Sequence, residues 1–326
     1  MINIPKIELH VHLDGCLRSK TVKELLDSDV SLEEINKKLT VSKHCQSLNE
    51  YLEKFKLPIE VLQTKENLKR VSYELGLDLI NDNVIYAEIR FAPLLHLKKG
   101  LKMNEVIDAV IEGLNGTKLQ YNLILCLMRG ADESLNLTTI DLAKKYLNKG
   151  VVAVDLAGAE SLYDNLLYQD LFKYAKKLRI PFTIHAGEAR GKESIKSAIE
   201  MGAKRIGHGL NYEEDLEIVN LLKKNKIALE MCPTSNIQTK AITDFKKYPL
   251  YKLYKNGIMT TINTDNRTVS NTNLSKEYEL LLNNFPLTIN DLIKMNEYAI
   301  KSSFLNNEDK NNLLAKYKKL LEKQSL

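Results

Sequence analysis

The stretch PFTIHAGEARGKESIKSAIEMGAKRIGHGL, residues 181–210, decides the fold. Its two ends, PFTIHAG (181–187) and RIGHGL (205–210), are short and rich in β-branched and apolar residues, as strands are. Between them, GKESIKSAIEMGA carries apolar residues at helical spacing with a glycine near its exit. Strand, helix, strand predicts a βαβ unit with parallel strands. Each strand also carries a histidine close to its end, His185 and His208.

Six further strand-like segments lie on either side of this unit. They are KIELHVHL (6–13), VIYAEIRFAP (84–93), YNLILCLMR (121–129), VVAVDLAG (151–158), IALEMCP (227–233) and IMTTINTD (258–265). Most are followed by helical patterns such as ENLKRVSYELGLDLINDN and MNEVIDAVIEGLNG. Eight alternating units predict an α/β fold, a closed (β/α)8 barrel of TIM type. Residues 17–66, between the first two strands, read as helical, with capping-box signatures at Ser31-Leu-Glu-Glu34 and Ser47-Leu-Asn-Glu50. An insertion there predicts a lid over the barrel mouth. Residues 275–326 read as extra C-terminal helices that close the bottom or flank. With no linker, repeat or low-complexity run, residues 1–326 are expected to form a single barrel domain with 17–66 as its helical lid insertion.

Composition narrows the function classes. The chain has 326 residues, 44% hydrophobic and 27% charged, enough for a sizeable core. The net charge of +5 is spread as lysines among glutamates on helical patterns such as LLKKNKIALE. That reads as solvated helix faces, with no arginine cluster or aromatic platform for a nucleic-acid partner. Cys16, Cys45, Cys126 and Cys232 show neither CxxC nor framework spacing. They are expected to be reduced thiols, three of them buried or half-buried, in a cytoplasmic protein. The first strand follows Met1 without room for a signal peptide, and no apolar run approaches the ~20 residues of a membrane span. No membrane or obligate protein partner is expected.

The strand ends carry the chemistry. In ELHVHLDG (8–15), Leu9, Val11 and Leu13 fall on one face of the strand, while Glu8, His10, His12 and Asp14 fall on the other. In a barrel of this type all strand ends meet at one mouth. His10 and His12 end the first strand, His185 the fifth, His208 the sixth, and Asp265 the eighth. A single HxH is most often two half-exposed imidazoles, and an aspartate after a strand is most often a cap. Five such residues at the ends of one barrel point instead to a nitrogen-and-oxygen site for a divalent ion, zinc first. Glu188, three residues beyond His185, can hang at the rim, where partial desolvation would keep its carboxyl protonated at neutral pH. His44 and His96 read as ordinary structural residues.

These motifs resemble the adenosine deaminase family of zinc-dependent hydrolases. KIELHVHLDGCLR (6–18), VVAVDLAGAE (151–160), HAGEARGKESIKSAIEMGAKRIGHGL (185–210), EMCPTSNIQT (230–239) and INTDN (262–266) come in that family's order across nearly the whole chain. The resemblance implies one zinc per chain, held by His10, His12, His185 and Asp265. It implies hydrolytic removal of the 6-amino group of adenosine and 2′-deoxyadenosine, giving inosine, 2′-deoxyinosine and ammonia in purine salvage. A zinc-bound water would attack C6 while Glu188 protonates N1 and His208 orients the water. His12, Asp14, Gly158 and Asn266 would touch the nucleoside: Asp14 at the ribose 5′-hydroxyl, the Gly158 N–H at N3, and Asn266 at N7.

Two positions depart from the family's usual pattern. Asn266 stands where a second aspartate is common; its amide is a better donor to N7 than a carboxylate, so that contact is expected to survive. Ala159 stands where an acidic residue often follows DLAG. Asp14 would repel a 5′-phosphate, which argues against AMP, and Gly207 separates the chain from the adenine-base branch, where an acidic residue commonly precedes the histidine of the RIxHG motif. A 5′-modified adenosine such as methylthioadenosine or aminofutalosine remains an alternative substrate. A catalytically silent nucleoside-binding barrel is the rival from another class, but no ligand or acid is missing. An amidohydrolase bridging two metals through a lysine is disfavoured, since no lysine stands at the strand ends.

Overall fold

A computed structural model describes residues 4–26, 29–42 and 44–324. All eight expected strands form: β1 Lys6–His12, β2 Val84–Phe91, β3 Gln120–Met128, β4 Val151–Ala157, β5 Thr183–Ala186, β6 Arg205–His208, β7 Ala228–Met231 and β8 Thr260–Ile262. They pair in parallel in chain order, as two arcs β1-β2-β3-β4 and β5-β6-β7-β8. Parallel bridges join the arcs, Val154 to Phe182 on one side and Val11 to Asp265 on the other. The second seam is tight: the His12 N–H donates to the Asp265 carbonyl at 2.8 Å, and the Asp265 N–H donates to the His10 carbonyl at 2.8 Å. The ring therefore closes, and the fold is a (β/α)8 barrel. Its strands are buried nearly throughout because helices cover the outside and side chains fill the inside.

Among its described residues the insertion holds four short α-helices, Ser19–Leu26, Leu32–Leu39, Leu48–Leu52 and Lys56–Val61, the last two joined by a 3-10 turn at Glu53–Phe55. The first capping box forms in full at Ser31 and Glu34. The second forms by half. Ser47 accepts from the Glu50 N–H, but Glu50 turns its carboxylate to the Gln46 N–H at 2.9 Å. At the C-terminal end, Ile289–Ser302 packs beneath β1 and β8, with Asn296 Oδ1 accepting from the Ile7 N–H at 2.9 Å. The segment that follows plugs the barrel bottom: Phe304 lies 3.9 Å from the Arg205 guanidinium and donates its N–H to Glu88.

Barrels of this kind usually fill their interior with branched apolar residues. Here the filling includes Glu88, Arg90, Asp155, Arg205 and Glu230, all fully buried. Arg90 pairs with Asp155 at 2.9 Å and Glu230 at 2.8 Å; Arg205 pairs with Glu88 at 2.6 Å and Glu230 at 2.5 Å. Such charges are tolerable inside only because each is matched. All four cysteines are buried and unbridged, one more than the expected three. No described helix is long and apolar enough to cross a membrane.

Candidate metal centre and its cavity

At the carboxyl ends of the strands, one ligand atom each from His10, His12, His185 and Asp265 lies within 4.8 Å of the others. His12 Nε2 and His185 Nε2 face each other at 3.3 Å; Asp265 Oδ1 is 3.4 Å from His10 Nε2 and 3.5 Å from His12 Nε2. A tetrahedral ion with bonds of 2.0–2.1 Å has ligand–ligand edges of about 3.3–3.4 Å. His10 Nε2 is buried and has no hydrogen-bond partner among the described residues. An unpartnered buried nitrogen and two imidazole nitrogens turned towards each other are what a cation between them would reconcile. The donor set fits a divalent ion.

The ring orientations are fixed from behind. His10 Nδ1 donates to Glu230 Oε2 at 2.8 Å, and His185 Nδ1 lies 3.0 Å from Asp155 Oδ2, so each Nε2 lone pair points into the site. Ser235 Oγ donates to Asp265 Oδ2 at 2.6 Å. Burial works to raise Glu230 and Asp155, yet their neighbours hold both well below the usual carboxylate range: Arg90 and Arg205 at Glu230, the His185 ring and Arg90 at Asp155. Burial, reinforced by the neighbouring histidines, holds His12 well below its ordinary value, which keeps that imidazole neutral as a ligand must be.

Above the four ligands opens a cavity of about 230 Å³, lined by Asp14, Gly158, Glu188, His208 and Asn266 among others. Leu48, Leu52 and Phe55 of the insertion form part of its wall. Burial, then the charges of Asp265 and Glu160, push the Glu188 carboxyl well above the usual range. Its Oε1 accepts from Thr239 Oγ1 at 3.1 Å and its Oε2 lies 3.5 Å from His208 Nε2. Asp14 Oδ1 and Asn266 Oδ1 are buried without a partner among the described residues, and burial lifts Asp14 to about 7. Unsatisfied buried groups are uncommon and call for a ligand.

The tautomer of His208 follows from its neighbours. Asn236 Oδ1 accepts from the Cys232 N–H at 3.2 Å and the Tyr248 hydroxyl at 3.0 Å, which fixes the amide. Asn236 Nδ2 then donates to His208 Nδ1 at 2.9 Å, leaving the proton of a neutral ring on Nε2. Burial, then His10, holds His208 well below its ordinary value, so the ring is neutral.

The expected residues thus lie together at the strand ends. Glu8 shares the polar face of β1 but turns to the segment just past β8, where it accepts from the Thr264 N–H and hydroxyl, at 3.1 and 2.7 Å. Asp155, Glu230, Ser235, Asn236 and Thr239 were not singled out from the sequence, although all five lie in the motifs VVAVDLAGAE and EMCPTSNIQT. His96 is buried, with Nδ1 donating to the Leu62 carbonyl at 2.9 Å, as a structural histidine does.

Comparison with known proteins agrees with this geometry. The family model described as adenosine deaminase matches residues 5–320. The chain belongs to the adenosine deaminase family. An adenosine deaminase of Clostridium perfringens is 43% identical, covering 96% of this chain and 98% of its own length. One of Clostridium botulinum is also 43% identical, over 94% and 95%. Among solved structures, the N6-methyl-AMP deaminase of Arabidopsis thaliana superposes with a TM-score of 0.86 at 26% identity, covering 97% of this chain and 96% of that one. An amidohydrolase described with bound Zn shares the fold, with a TM-score of 0.87 at 20% identity over 99% and 93%. The chain is a hydrolytic deaminase with a metal-type His/Asp site.

Proposed function

We propose that this chain hydrolyses adenosine and 2′-deoxyadenosine to inosine and 2′-deoxyinosine, releasing ammonia, with one zinc ion per chain held by His10, His12, His185 and Asp265. The observation that carries the reading is the pairing of that ligand set with a buried carboxyl, Glu188, whose protonated form burial favours, across one small cavity. When bound, the ion lowers the pKa of a water from 15.7 to about 7 and so supplies a nucleophile at neutral pH.

The chain's own residues do the rest. Glu188 gives its proton to N1 of the purine, so the ring can accept electrons as C6 is attacked; positioned acid catalysis of this kind is typically worth about 10²–10⁴-fold. The proton stays on N1 of the product, and water supplies the protons that restore Glu188 and complete the leaving ammonia. His208, neutral with its proton on Nε2, donates a hydrogen bond into the site and steadies the oxygen arriving at C6. The Gly158 N–H, with φ of +99° at the end of β4, is assigned to purine N3, and Asn266 to N7. Asp14, with its unpartnered Oδ1, accepts from the ribose 5′-hydroxyl. Leu48, Leu52 and Phe55 exclude bulk water, which strengthens each of these interactions.

A nucleoside suits this wall better than a nucleotide. Among the described residues the cavity has no lysine and one arginine, Arg129. Both of its Nη atoms already donate, Nη1 to the Tyr163 carbonyl and Nη2 to the His185 carbonyl and Asn165, which leaves Nε alone without a partner among the described residues. A 5′-phosphate would meet Asp14 without a cation to offset it. Loss of adenosine absorbance is the test, followed before and after chelation beside AMP, N6-methyl-AMP, adenine and methylthioadenosine. Adenosine should be consumed, activity should vanish on chelation, and added Zn²⁺ should restore it. Preferential turnover of AMP or N6-methyl-AMP would overturn the substrate assignment.

A further inference from the structure

Glu188 sits on a turn, residues 187–190, that belongs to neither β5 nor the helix Lys192–Met201 after it. The main-chain N–H groups of all four turn residues point at one carboxylate, that of Glu160, which is 1% exposed. Glu160 Oε1 accepts from Gly187 at 2.7 Å; Oε2 accepts from Glu188 at 3.0 Å, Ala189 at 2.6 Å and Arg190 at 3.3 Å. Ser194 Oγ donates to Oε1 at 2.5 Å from the first turn of the helix. Successive N–H groups folded around an anion form a nest, and here the chain supplies the anion itself.

The turn has little freedom left. Gly187 has φ of +71°, and a Cβ there would come within 2.6 Å of Ile195. Arg190 Nε donates back to the Glu160 carbonyl at 2.8 Å, and its Nη1 donates to Asp164 at 2.9 Å. On the other side of the peptide, the Glu188 carbonyl accepts from Asn211 Nδ2 at 2.9 Å. Glu188 is therefore held at its N–H by Glu160 and at its carbonyl by Asn211, which sets where its side chain leaves the main chain.

We propose that Glu160 is a positioning residue for catalysis: its carboxylate gathers the 187–190 turn and so aims Glu188 at the purine ring. The inference rests on the reading of Glu188 as the proton donor. A displacement of about 1 Å at a reacting group can cost about 10²-fold in rate. A role confined to folding would lower stability yet leave the turnover of folded, metal-loaded enzyme unchanged.

Glu160→Gln keeps the size, but one amide oxygen cannot replace two carboxylate oxygens, and its NH2 faces N–H donors. In the zinc-loaded full chain, E160Q should lose about 10²-fold in kcat with KM within about threefold and zinc per chain unchanged. Ser194→Ala, which frees one side of Glu160, should show the same split at about threefold to tenfold in kcat. Folded, zinc-loaded E160Q with kcat within about threefold of wild type would overturn the proposal, as would loss of zinc or a rise in KM that accounts for the lost activity. If E160Q does not fold, Glu160→Asp and S194A decide: wild-type kcat in both overturns it. Glu188→Gln, measured alongside, separates the two readings. An active E188Q removes the proton donor and this inference with it; an inactive E188Q beside a fully active E160Q removes Glu160 alone.

Discussion

Glu230 offers the sharpest perturbation, because one carboxylate at the barrel centre holds four donors. Oε1 takes Thr183 Oγ1 at 3.0 Å and Arg205 Nε at 2.5 Å; Oε2 takes His10 Nδ1 at 2.8 Å and Arg90 Nη2 at 2.8 Å. Glu230→Gln can satisfy only one of these pairs, since its NH2 must face the other pair of donors. The loss is one charged and one ordinary hydrogen bond, with a buried guanidinium left short of an anion. Hydrogen bonds to charged groups are worth about 1.5–3 kcal/mol, and a broken buried ion pair about 3–5 kcal/mol, so the cost should be about 3–5 kcal/mol. If the amide turns its NH2 to His10, the ring loses the acceptor that aims Nε2, and metal affinity should drop about 10–100-fold. Urea unfolding of the metal-free chain measures the first effect, and competition with a chelator measures the second. An E230Q chain within about 0.5 kcal/mol of wild type that also keeps its metal affinity would refute the reasoning.

Three other outcomes are expected. Asp14→Ala should erase the preference for adenosine over 5′-deoxyadenosine, which in wild type should be about 10–100-fold in kcat/KM; a wild-type enzyme indifferent to the 5′-hydroxyl contradicts that role. Gly15→Ala would bring a Cβ to 1.9 Å from Asn266 Oδ1, so it should displace that amide and raise KM about tenfold. Adding Asn266→Ala to it should make KM no worse than Asn266→Ala alone, and additive effects would mean the two side chains act separately. Burial pushes the Glu277 carboxyl from its ordinary 4.5 up to about 7, against hydrogen bonds from Thr234 and Thr272. The folded chain then binds more protons than the unfolded one between those values, so stability falls as pH rises through that window and levels off above it. Glu277→Gln should remove up to about 3 kcal/mol of that decline, read as the wild-type-minus-variant difference in unfolding free energy at the two ends of the window; parallel pH curves would contradict it.

Much of the fold and the ligand set is legible in the chain because both obey short-range rules. Alternating strands and helices, most strand segments ending at Gly, Pro, Asp or Asn, point to the barrel, and the barrel brings strand ends together whatever their separation. That is why His10, His12, His185, His208 and Asp265 could be grouped without knowing a single contact. What stayed hidden depends on partners across the barrel. Arg90 and Glu230 lie 140 positions apart, and neither strand pattern says which way its charge turns. Glu8 is a similar case: period two gives its face of β1, but not that its carboxylate turns to Thr264. The half-formed box at Ser47 was decided by the competing Gln46 N–H, and Glu160 matters only because a turn 27 to 30 residues away folds its N–H groups around it.

The central claim is that one divalent ion sits among three imidazoles and a carboxylate. X-ray absorption at the zinc edge of the active protein, with metal counted per chain, tests it directly. The account predicts one zinc per chain surrounded only by nitrogen and oxygen at about 2.0–2.1 Å, with adenosine turnover tracking zinc content. A sulfur shell at about 2.3 Å, or full turnover by metal-free protein, would contradict it.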